Sequence, residues 1–271
     1  MFNLKNNKLR ELIKQGKPTL GTHILNTWPG VVEIIGAAKE IDYIEFVGEY
    51  APFDLFSLEN IARACDLMGM SSMMKIDQQP KTFLATRALG SGIQNLLFAD
   101  VRNVAEGEEC IKAVKMETPE DKGVHGCNSR RSANYGLEGG SKEFVKAMNE
   151  TVIAFMIEKK SAVDNLEEIL SLKGIDMVQF GPCDYSISLG IAGEFNHPKV
   201  KEAELKTIKT AIKMGIRPRV ELGTKFTKEE VQKYTDLGVM DFCNGTDLQI
   251  LYGWIKEKMP IVRQALSGIS K

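Results

Sequence analysis

Residues 151–186, TVIAFMIEKKSAVDNLEEILSLKGIDMVQFGPCDYS, contain two apolar β-runs that are separated by one helix-length segment. Glu158 ends the first run, and Asp184 lies in the turn after the second. In a parallel α/β protein the carboxyl ends of the strands meet at one rim of the sheet, where ligands bind. The spacing therefore predicts two carboxylates on one rim, beside a Gly-Pro turn, where they could hold a divalent metal.

Strand-like runs alternate with helical patterns along the whole chain. We count eight runs, at residues 20–25, 43–48, 71–76, 95–99, 151–158, 176–181, 216–221 and 240–244. Repeated strand–helix–strand units indicate a parallel sheet with right-handed crossovers, and eight units predict an α/β fold of the (β/α)8 TIM-barrel type. An open doubly wound sheet is the alternative, but no GxGxxG motif follows the first run.

The length of 271 residues fits one barrel domain over residues 1–271, because such barrels commonly have about 250 residues. The first 17 residues, MFNLKNNKLRELIKQGK, have the pattern of an amphipathic helix, and they lack the apolar centre of a signal peptide. One connection, at residues 117–141, is long and rich in glycine. Such loops often bind ligands, and this one could reach the active site or stay on the side of the barrel.

Charge and cysteine usage exclude several classes of protein. Lys and Arg total 35 against 36 Asp and Glu, so the net charge of -1 offers no bulk attraction to nucleic acid or to anionic membranes. The five cysteines are scattered without a CxxC pair, which indicates neither a disulfide framework nor a zinc site. We therefore expect a cytoplasmic protein whose partner is a small molecule or another copy of itself.

Strand alternation places some charged side chains inside the predicted barrel. Residues two apart in a strand share a face, so Met156 and Glu158 point to the same side. Glu45, in the run YIEFVGEY, occupies the middle of a strand. Burying a carboxylate costs several kcal/mol unless it is paired. Glu45 is therefore expected either to point into a polar barrel mouth or to form a structural ion pair.

Three segments resemble the HpcH/HpaI aldolase family, the metal-dependent pyruvate aldolases of the phosphoenolpyruvate/pyruvate barrel superfamily. They are DYIEFVGEYAP at residues 42–52, the Ile-Glu pair at 157–158 and GPCDYS at 181–186. The resemblance extends over nearly the whole chain. It implies a (β/α)8 barrel that cleaves a carbon–carbon bond in a 2-oxo acid or a related hydroxy acid, with an aldehyde as the second partner.

The resemblance also implies roles for particular residues. Glu158 and Asp184 would bind Mg2+ or Mn2+, and Gly181, Pro182 and Cys183 would surround the substrate carboxylate. A metal held in this way would act as a Lewis acid on the enolate that forms when the bond breaks.

The chain departs from the family pattern at the residues that move protons. Where the family has Asp-Gly-Glu-His after the second strand, residues 47–50 are Val-Gly-Glu-Tyr, so both members of the usual base dyad are absent. Lys75 stands where the family has an arginine that holds the keto oxygen, which keeps a cation but loses the bidentate fork. Gly90 aligns with a position where the family often carries an acidic residue.

Retro-aldol cleavage needs a base for the hydroxyl and a proton donor for the enolate. Three residues could replace the missing dyad. His23 lies in the first strand, Tyr50 could donate a proton if Lys75 lowers its pKa, and Glu45 could replace the lost carboxylate. The alternative for His23 is a structural histidine.

Residues 130–132, Arg-Arg-Ser, resemble a family loop that approaches the active site. Arg130 is therefore a candidate contact for a substrate anion, although a solvated loop arginine is equally expected. His125 lies in the same loop. His197 precedes a proline and is expected to begin a helix.

Three functions follow from these residues. The leading one is a divalent-metal-dependent aldolase in which Lys75 holds the oxo or enolate oxygen. The second is a Schiff-base aldolase that uses Lys75, although neighbouring carboxylates would raise its pKa. The third is a barrel that binds ligand but has lost aldol cleavage or performs different chemistry.

The resemblance further implies a homo-oligomer, either a hexamer built from dimers or a dimer. Residues 247–266 have the apolar spacing of a helix that could pack on a neighbouring copy. The alternative is an ordinary eighth helix of the barrel.

Overall fold

The computed structural model of the protein describes residues 6–269. Eight strands close into one parallel barrel in which each strand pairs with the next and the eighth pairs with the first. Their bounds are β1 (Thr19–Ile24), β2 (Tyr43–Val47), β3 (Ser71–Ile76), β4 (Asn95–Phe98), β5 (Ile153–Ile157), β6 (Met177–Phe180), β7 (Arg217–Val220) and β8 (Asp241–Thr246). The predicted (β/α)8 barrel is confirmed, and the open-sheet alternative is wrong.

Most of the helices connect successive strands on the outside of the barrel, whereas the first precedes β1 and the last follows β8. The helices are α1 (Lys8–Lys14), α2 (Pro29–Ala37), α3 (Leu55–Met68), α4 (Lys81–Ser91), α5 (Val104–Val114), α6 (Lys142–Asn149), α7 (Lys160–Asp164), α8 (Leu166–Leu170), α9 (Pro182–Ser188), α10 (Pro198–Lys213), α11 (Lys228–Thr235) and α12 (Asp247–Ser267). Among the described residues, no helix has both the length and the apolar character that a bilayer-crossing helix requires.

The period of two along the strands separates two apolar clusters. In β5, Phe155 and Ile157 belong to the cluster between the sheet and the helices, whereas Met156 belongs to the cluster inside the barrel. Tyr43 and Met73 join Met156 in the interior, and all three are buried. The prediction that Met156 and Glu158 share a face is therefore confirmed, with Glu158 following Met156 on the inner side.

Helix α1 closes the amino-terminal end of the barrel. Leu9 is fully buried in the interior cluster, and its backbone N–H donates to Ser71 Oγ at 3.0 Å. Arg10 forms a bidentate pair with Asp176, with N–O distances of 2.6 and 2.7 Å. The amino-terminal helix is thus present from residue 8, whereas residues 1–5 of the predicted segment lie outside the described residues.

The long connection at 117–141 packs against the side of the barrel. A short 3-10 segment (Arg131–Gly136) lies against α4, and Arg131 forms an ion pair with Asp66 of α3. None of the residues at 117–141 lines the cavity at the carboxyl ends of the strands. Within one chain, this loop therefore does not reach the site that strand order predicts.

Close packing inside the barrel makes Gly21 sensitive to added volume. A Cβ at Gly21 would lie 2.6 Å from Cε2 of the buried Tyr43 ring. We expect Gly21→Ala to lower the free energy of unfolding by about 1–3 kcal/mol, the usual cost of overpacking a core, as measured by urea denaturation. Gly253→Ala is the control, because a Cβ at this helical glycine meets nothing within 4 Å. Equal stability of the two variants would contradict the tight contact.

Candidate active site

A cavity of about 850 Å³ opens at the carboxyl ends of the strands. It brings together every predicted site residue except Arg130. The lining includes His23, Glu45, Tyr50, Lys75, Glu158, Gly181, Pro182, Cys183 and Asp184. These residues come from five strand ends or the turns that follow them, which is how a parallel barrel assembles a site.

Glu158 is a buried carboxylate at the end of β5, with 3% of its surface exposed. Its Oε1 accepts a hydrogen bond from the backbone N–H of Asp100 at 2.8 Å. Asp100 follows β4 in a left-handed backbone conformation, with φ of 56°. Burial raises the pKa of Glu158, although the cation of Lys75 opposes this shift. The carboxylate is therefore held in place through one oxygen, inside the cavity.

Asp184 lies in the first turn of α9 and is tied to a lysine. Lys159 Nζ lies 2.7 Å from Asp184 Oδ1 and 3.0 Å from Asp100 Oδ1. The lysine therefore links the carboxylates that follow β4 and β6. It fixes Asp184 by one oxygen and offsets part of the negative charge at this end of the cavity.

Gly181 packs directly against Glu158. A Cβ at Gly181 would lie 2.7 Å from Glu158 Oε2, which is closer than real side chains approach, so glycine is required for the backbone to pass next to that oxygen. Glu158 and Asp184 supply oxygen ligands, which Mg2+ and Mn2+ prefer, and these ions commonly take one or two carboxylates and complete their coordination with water and substrate. The donor set fits a divalent cation of this kind.

Lys75 is buried next to acidic groups. Its Nζ lies 2.5 Å from Glu49 Oε2 and 3.3 Å from Tyr50 Oη. Burial by itself lowers the pKa of Lys75, but Glu158 and Glu49 raise it above its usual value overall. A lysine held as a cation is a poor nucleophile at neutral pH. The surroundings of Lys75 therefore disfavour a Schiff-base mechanism.

The condition set for Tyr50 as a proton donor, a pKa lowered by Lys75, is not met overall. Lys75 does act in that direction, but burial raises the pKa of Tyr50 above its usual value, and burial is the larger effect. The phenol therefore remains a hydrogen-bond donor next to Lys75.

Glu45 forms a buried ion pair with Arg219 of β7. The guanidinium Nη1 contacts Glu45 Oε2, and both side chains are at most 1% exposed. Arg219 Nε also donates to Gln179 Oε1 at 2.6 Å. Burial by itself raises the pKa of Glu45, but Arg219 and His23 hold it below its usual value. The ion-pair alternative for Glu45 is thus the observed one, at the base of the cavity.

His23 has acceptors at both ring nitrogens. Nδ1 lies 3.0 Å from the carbonyl oxygen of Gly245, and Nε2 lies 3.5 Å from Glu45 Oε1 and 3.9 Å from Glu221 Oε2. Carbonyls and carboxylates can only accept, so this environment favours the ring with a proton on each nitrogen. Burial by itself lowers the pKa of His23, but Cys243, Glu45 and Glu221 raise it to about 10.

His23, Glu45 and Cys243 form the one set of three possible metal ligands found within residues 6–269, with their ligand atoms within 4.8 Å of one another. Arg219 already occupies one oxygen of Glu45, and its positive charge opposes a cation there. The set is better explained as the electrostatic surroundings of His23 than as a metal centre.

Arg130 lies outside the cavity. Its Nη1 donates to the carbonyl oxygen of Thr86 in α4 at 3.2 Å, and its side chain packs over Gly90. Within one chain, the structure does not bring Arg130 together with the other predicted site residues. His125 is buried in the same loop. His197 is the N-cap of α10, where its Nδ1 accepts from the Lys199 N–H at 3.2 Å, as predicted.

Sequence reasoning missed several residues that shape the cavity, namely Asp100, Lys159, Gln179, Arg219 and Glu221. Arg219 carries the same signal as Glu45, because a charged residue inside the strand predicted at 216–221 also needs a partner. That signal could have found the ion pair. The left-handed turn at Asp100 has no comparable signal in the sequence.

A closed barrel whose buried acids, lysine and histidine converge at the strand ends is an enzyme of the (β/α)8 class. The HpcH/HpaI aldolase/citrate lyase family model matches residues 31–239. The chain belongs to the HpcH/HpaI aldolase/citrate lyase family, and it is a carbon–carbon lyase.

Individual relatives agree with this assignment. A protein named 2-keto-3-deoxy-L-rhamnonate aldolase from Escherichia coli (strain K12) is 28% identical over 212 residues, which cover 77% of each chain. The structure of an HpcH/HpaI aldolase/citrate lyase family protein from Burkholderia cenocepacia J2315 matches 95% of this chain and 100% of that chain, with a TM-score of 0.85 and 20% identity. An HpcH/HpaI aldolase from Desulfitobacterium hafniense DCB-2 matches 95% and 97% of the two chains, with a TM-score of 0.81 and 23% identity. At these identities the structural matches show the fold.

The charge on His23 predicts a dependence of stability on pH. A histidine with a folded-state pKa of about 10 stabilises the fold fully below its ordinary value of 6.5, and this contribution is lost as the pH rises through 10. We expect His23→Gln to be less stable than wild type at pH 6, and the difference to shrink by at least about 1.4 kcal/mol by pH 10. Urea denaturation at several pH values measures this difference.

His197→Asn, at the N-cap of α10, keeps a side-chain acceptor for the Lys199 N–H and reports any general effect of replacing a histidine. A stability difference between wild type and His23→Gln that stays constant from pH 6 to pH 10 would show that His23 is not a buried cation.

Proposed function

We propose that this protein is a divalent-metal-dependent aldolase. It acts on a 2-oxo acid or a related hydroxy acid, which it cleaves to pyruvate or a homologue and an aldehyde, with Mg2+ or Mn2+ as cofactor. The observation that carries the proposal is the environment of Glu158: one oxygen is fixed by the Asp100 N–H, and the other lies next to the Gly181 backbone, in the same cavity as Asp184.

Glu158 and Asp184 would hold the cation. When bound, it supplies Lewis-acid stabilisation of the negative charge that develops as the carbon–carbon bond breaks. Lys159 keeps Asp184 oriented toward this end of the cavity by its 2.7 Å ion pair.

Lys75, on β3, would stabilise the same charge. Its ammonium group is fixed by Glu49, and the acidic groups around it keep it protonated. A fixed cation that faces the developing enolate oxygen stabilises the transition state without reorganisation. Lys75 therefore takes the place of the family's arginine as the contact to the oxo oxygen.

Backbone at the start of α9 completes the binding site. Gly181 is the N-cap and Pro182 opens the helix, with Cys183 next to it at the cavity wall. We assign these three residues to the surroundings of the substrate carboxylate. The name of the Escherichia coli relatives makes 2-keto-3-deoxy sugar acids the first substrates to assay.

Metal removal tests the proposal. Excess EDTA should abolish cleavage, and Mg2+ or Mn2+ should restore it, because the charge on the enolate is otherwise uncompensated. We expect Glu158→Gln and Asp184→Asn each to lower kcat/KM by about 100-fold or more, equivalent to about 2.7 kcal/mol. Asp164→Asn, at an exposed ion pair with Lys160, should retain activity. Full activity in excess EDTA would contradict metal dependence.

We further propose that the protein forms a homo-oligomer through α12. No residue of this helix is buried. Most of its large apolar side chains are more than half exposed, including Leu248, Leu251, Tyr252, Trp254, Val262 and Leu266. Such a large apolar helix surface on a protein of nearly neutral charge favours packing on a second copy of the chain.

Glutamates on the apolar face of α12 should weaken this assembly. The double variant Leu251→Glu/Ile255→Glu changes two exposed apolar residues one turn apart. We expect light scattering to give a smaller mass for it than for wild type, because a charge in an apolar interface is costly. Gln264→Glu adds a charge to the same helix outside the altered pair and should keep the wild-type mass. A wild-type protein that is monomeric would contradict the proposal.

A further inference from the structure

The proposed function leaves one chemical task unassigned. Cleavage requires a base that removes the proton from the substrate hydroxyl, and residues 47–50 lack the family's His and Asp. The inference below rests on the proposed function and concerns the residue that performs this step.

The three residues named from the sequence are unsuited to accept that proton. His23 faces acceptors at both nitrogens, so it enters the reaction as a cation and a donor. Glu45 is fully buried in its ion pair with Arg219. Tyr50 is a hydrogen-bond partner of Lys75 and retains its proton.

Most other carboxylates of the cavity are engaged elsewhere. Glu204 accepts from Tyr234 Oη at 2.8 Å and pairs with Lys201 at 3.1 Å. Glu230 forms the capping box of α11 with Thr227. The remaining carboxylates are Glu158 and Asp184, which the proposed function assigns to the metal, and Glu221.

Glu221 follows β7 at the mouth of the barrel, and 37% of its side chain is exposed. Its Oε2 lies 3.9 Å from His23 Nε2 and 3.4 Å from Gln179 Nε2. The 3.9 Å separation exceeds an ordinary hydrogen bond, and the hydrogen bond from Gln179 is a long one. His23 Nε2 is likewise 3.5 Å from Glu45. The donor His23 Nε2 and the acceptor Glu221 Oε2 thus lie near each other at the cavity wall without forming a direct hydrogen bond.

We propose that Glu221 is the general base of the reaction and that His23 holds the same substrate oxygen. A hydroxyl placed between them would donate to the Glu221 carboxylate and accept from His23 Nε2–H. This is the arrangement that the hydroxyl at C4 of a 2-oxo acid requires before the bond between C3 and C4 can break.

The step is balanced without a further reactant. Glu221 takes the hydroxyl proton as the carbon–oxygen double bond of the aldehyde forms. The electron pair of the breaking carbon–carbon bond moves into the enolate of the 2-oxo acid. The imidazolium of His23 stabilises the negative charge that develops on the substrate hydroxyl oxygen as it loses its proton. Glu221 then releases its proton to water, and the enolate carbon takes up one proton from water.

Aldol cleavage and pyruvate proton exchange, measured separately, distinguish a general base from a structural residue. The test uses the full-length, metal-loaded enzyme with a 4-hydroxy-2-oxo acid for cleavage, and pyruvate in D2O for exchange of its methyl protons. We expect Glu221→Gln to lower kcat for cleavage by about 100-fold or more, in line with the loss of a general base. It should exchange pyruvate protons at the wild-type rate, because exchange involves no aldol hydroxyl.

Formate supplies a second readout. In Glu221→Ala the missing carboxylate leaves space at the cavity mouth, so we expect added formate to restore part of the cleavage rate. Glu229→Gln, at an exposed position of α11 outside the cavity lining, should match wild type in both assays and should not respond to formate.

The possible outcomes separate the role of Glu221 from the proposed aldolase function. If wild type cleaves and Glu221→Gln cleaves equally fast, the role of Glu221 is overturned and the proposed function stands. If Glu221→Gln loses both cleavage and exchange, and formate does not rescue Glu221→Ala, Glu221 is not the base. If metal-loaded wild type neither cleaves nor exchanges, the proposed function fails and this inference fails with it.

Discussion

The ion pair between Arg219 and Glu45 constrains the arrangement of the whole site. It joins β7 to β2 through the barrel interior, between residues 174 positions apart. Neither charge could be buried alone, and removing one partner of such a pair commonly costs about 3–5 kcal/mol. With Arg219 fixed also by Gln179, Glu45 has one oxygen left to face His23. The charge on His23 is thus a consequence of packing deep in the barrel.

The cavity keeps its positive charges apart. Lys75 is fixed by Glu49 on the wall of β2 and β3, Lys159 bridges the turns after β4 and β6, and His23 stands near β7 and β8. Each cation has a nearby acid, so none needs to move in order to be neutralised. Preorganised charges of this kind stabilise a developing anion more effectively than mobile ones. Because the same acids raise the pKa of Lys75, one arrangement favours electrostatic catalysis and opposes Schiff-base chemistry.

Much of the fold and part of the site could be predicted from the sequence. The alternation in VIAFMIEK placed Met156 and Glu158 on the inner face, and the strand–helix spacing put Asp184 on the same rim. Both depend on local periodicity. The partner of Glu45 could not be predicted, because barrel closure decides which strands face one another. Arg130 failed to reach the cavity for a related reason: the path of a long loop depends on packing against α4.

The altered motif at residues 47–50 is compatible with an active aldolase because a barrel does not require its base on a particular strand. All eight strand ends surround the same cavity, so a carboxylate after β7 can approach a substrate hydroxyl as closely as a histidine after β2. Cleavage requires two groups at the substrate hydroxyl: a cation that binds its oxygen and a carboxylate that can accept its proton. In this chain His23 and Glu221 provide these two groups, and Cys243 and the buried Glu45, which Arg219 fixes in place, raise the pKa of His23. The proton-transfer part of the site therefore depends on Arg219 and Glu45 in the barrel interior, which lie outside the motif at residues 47–50.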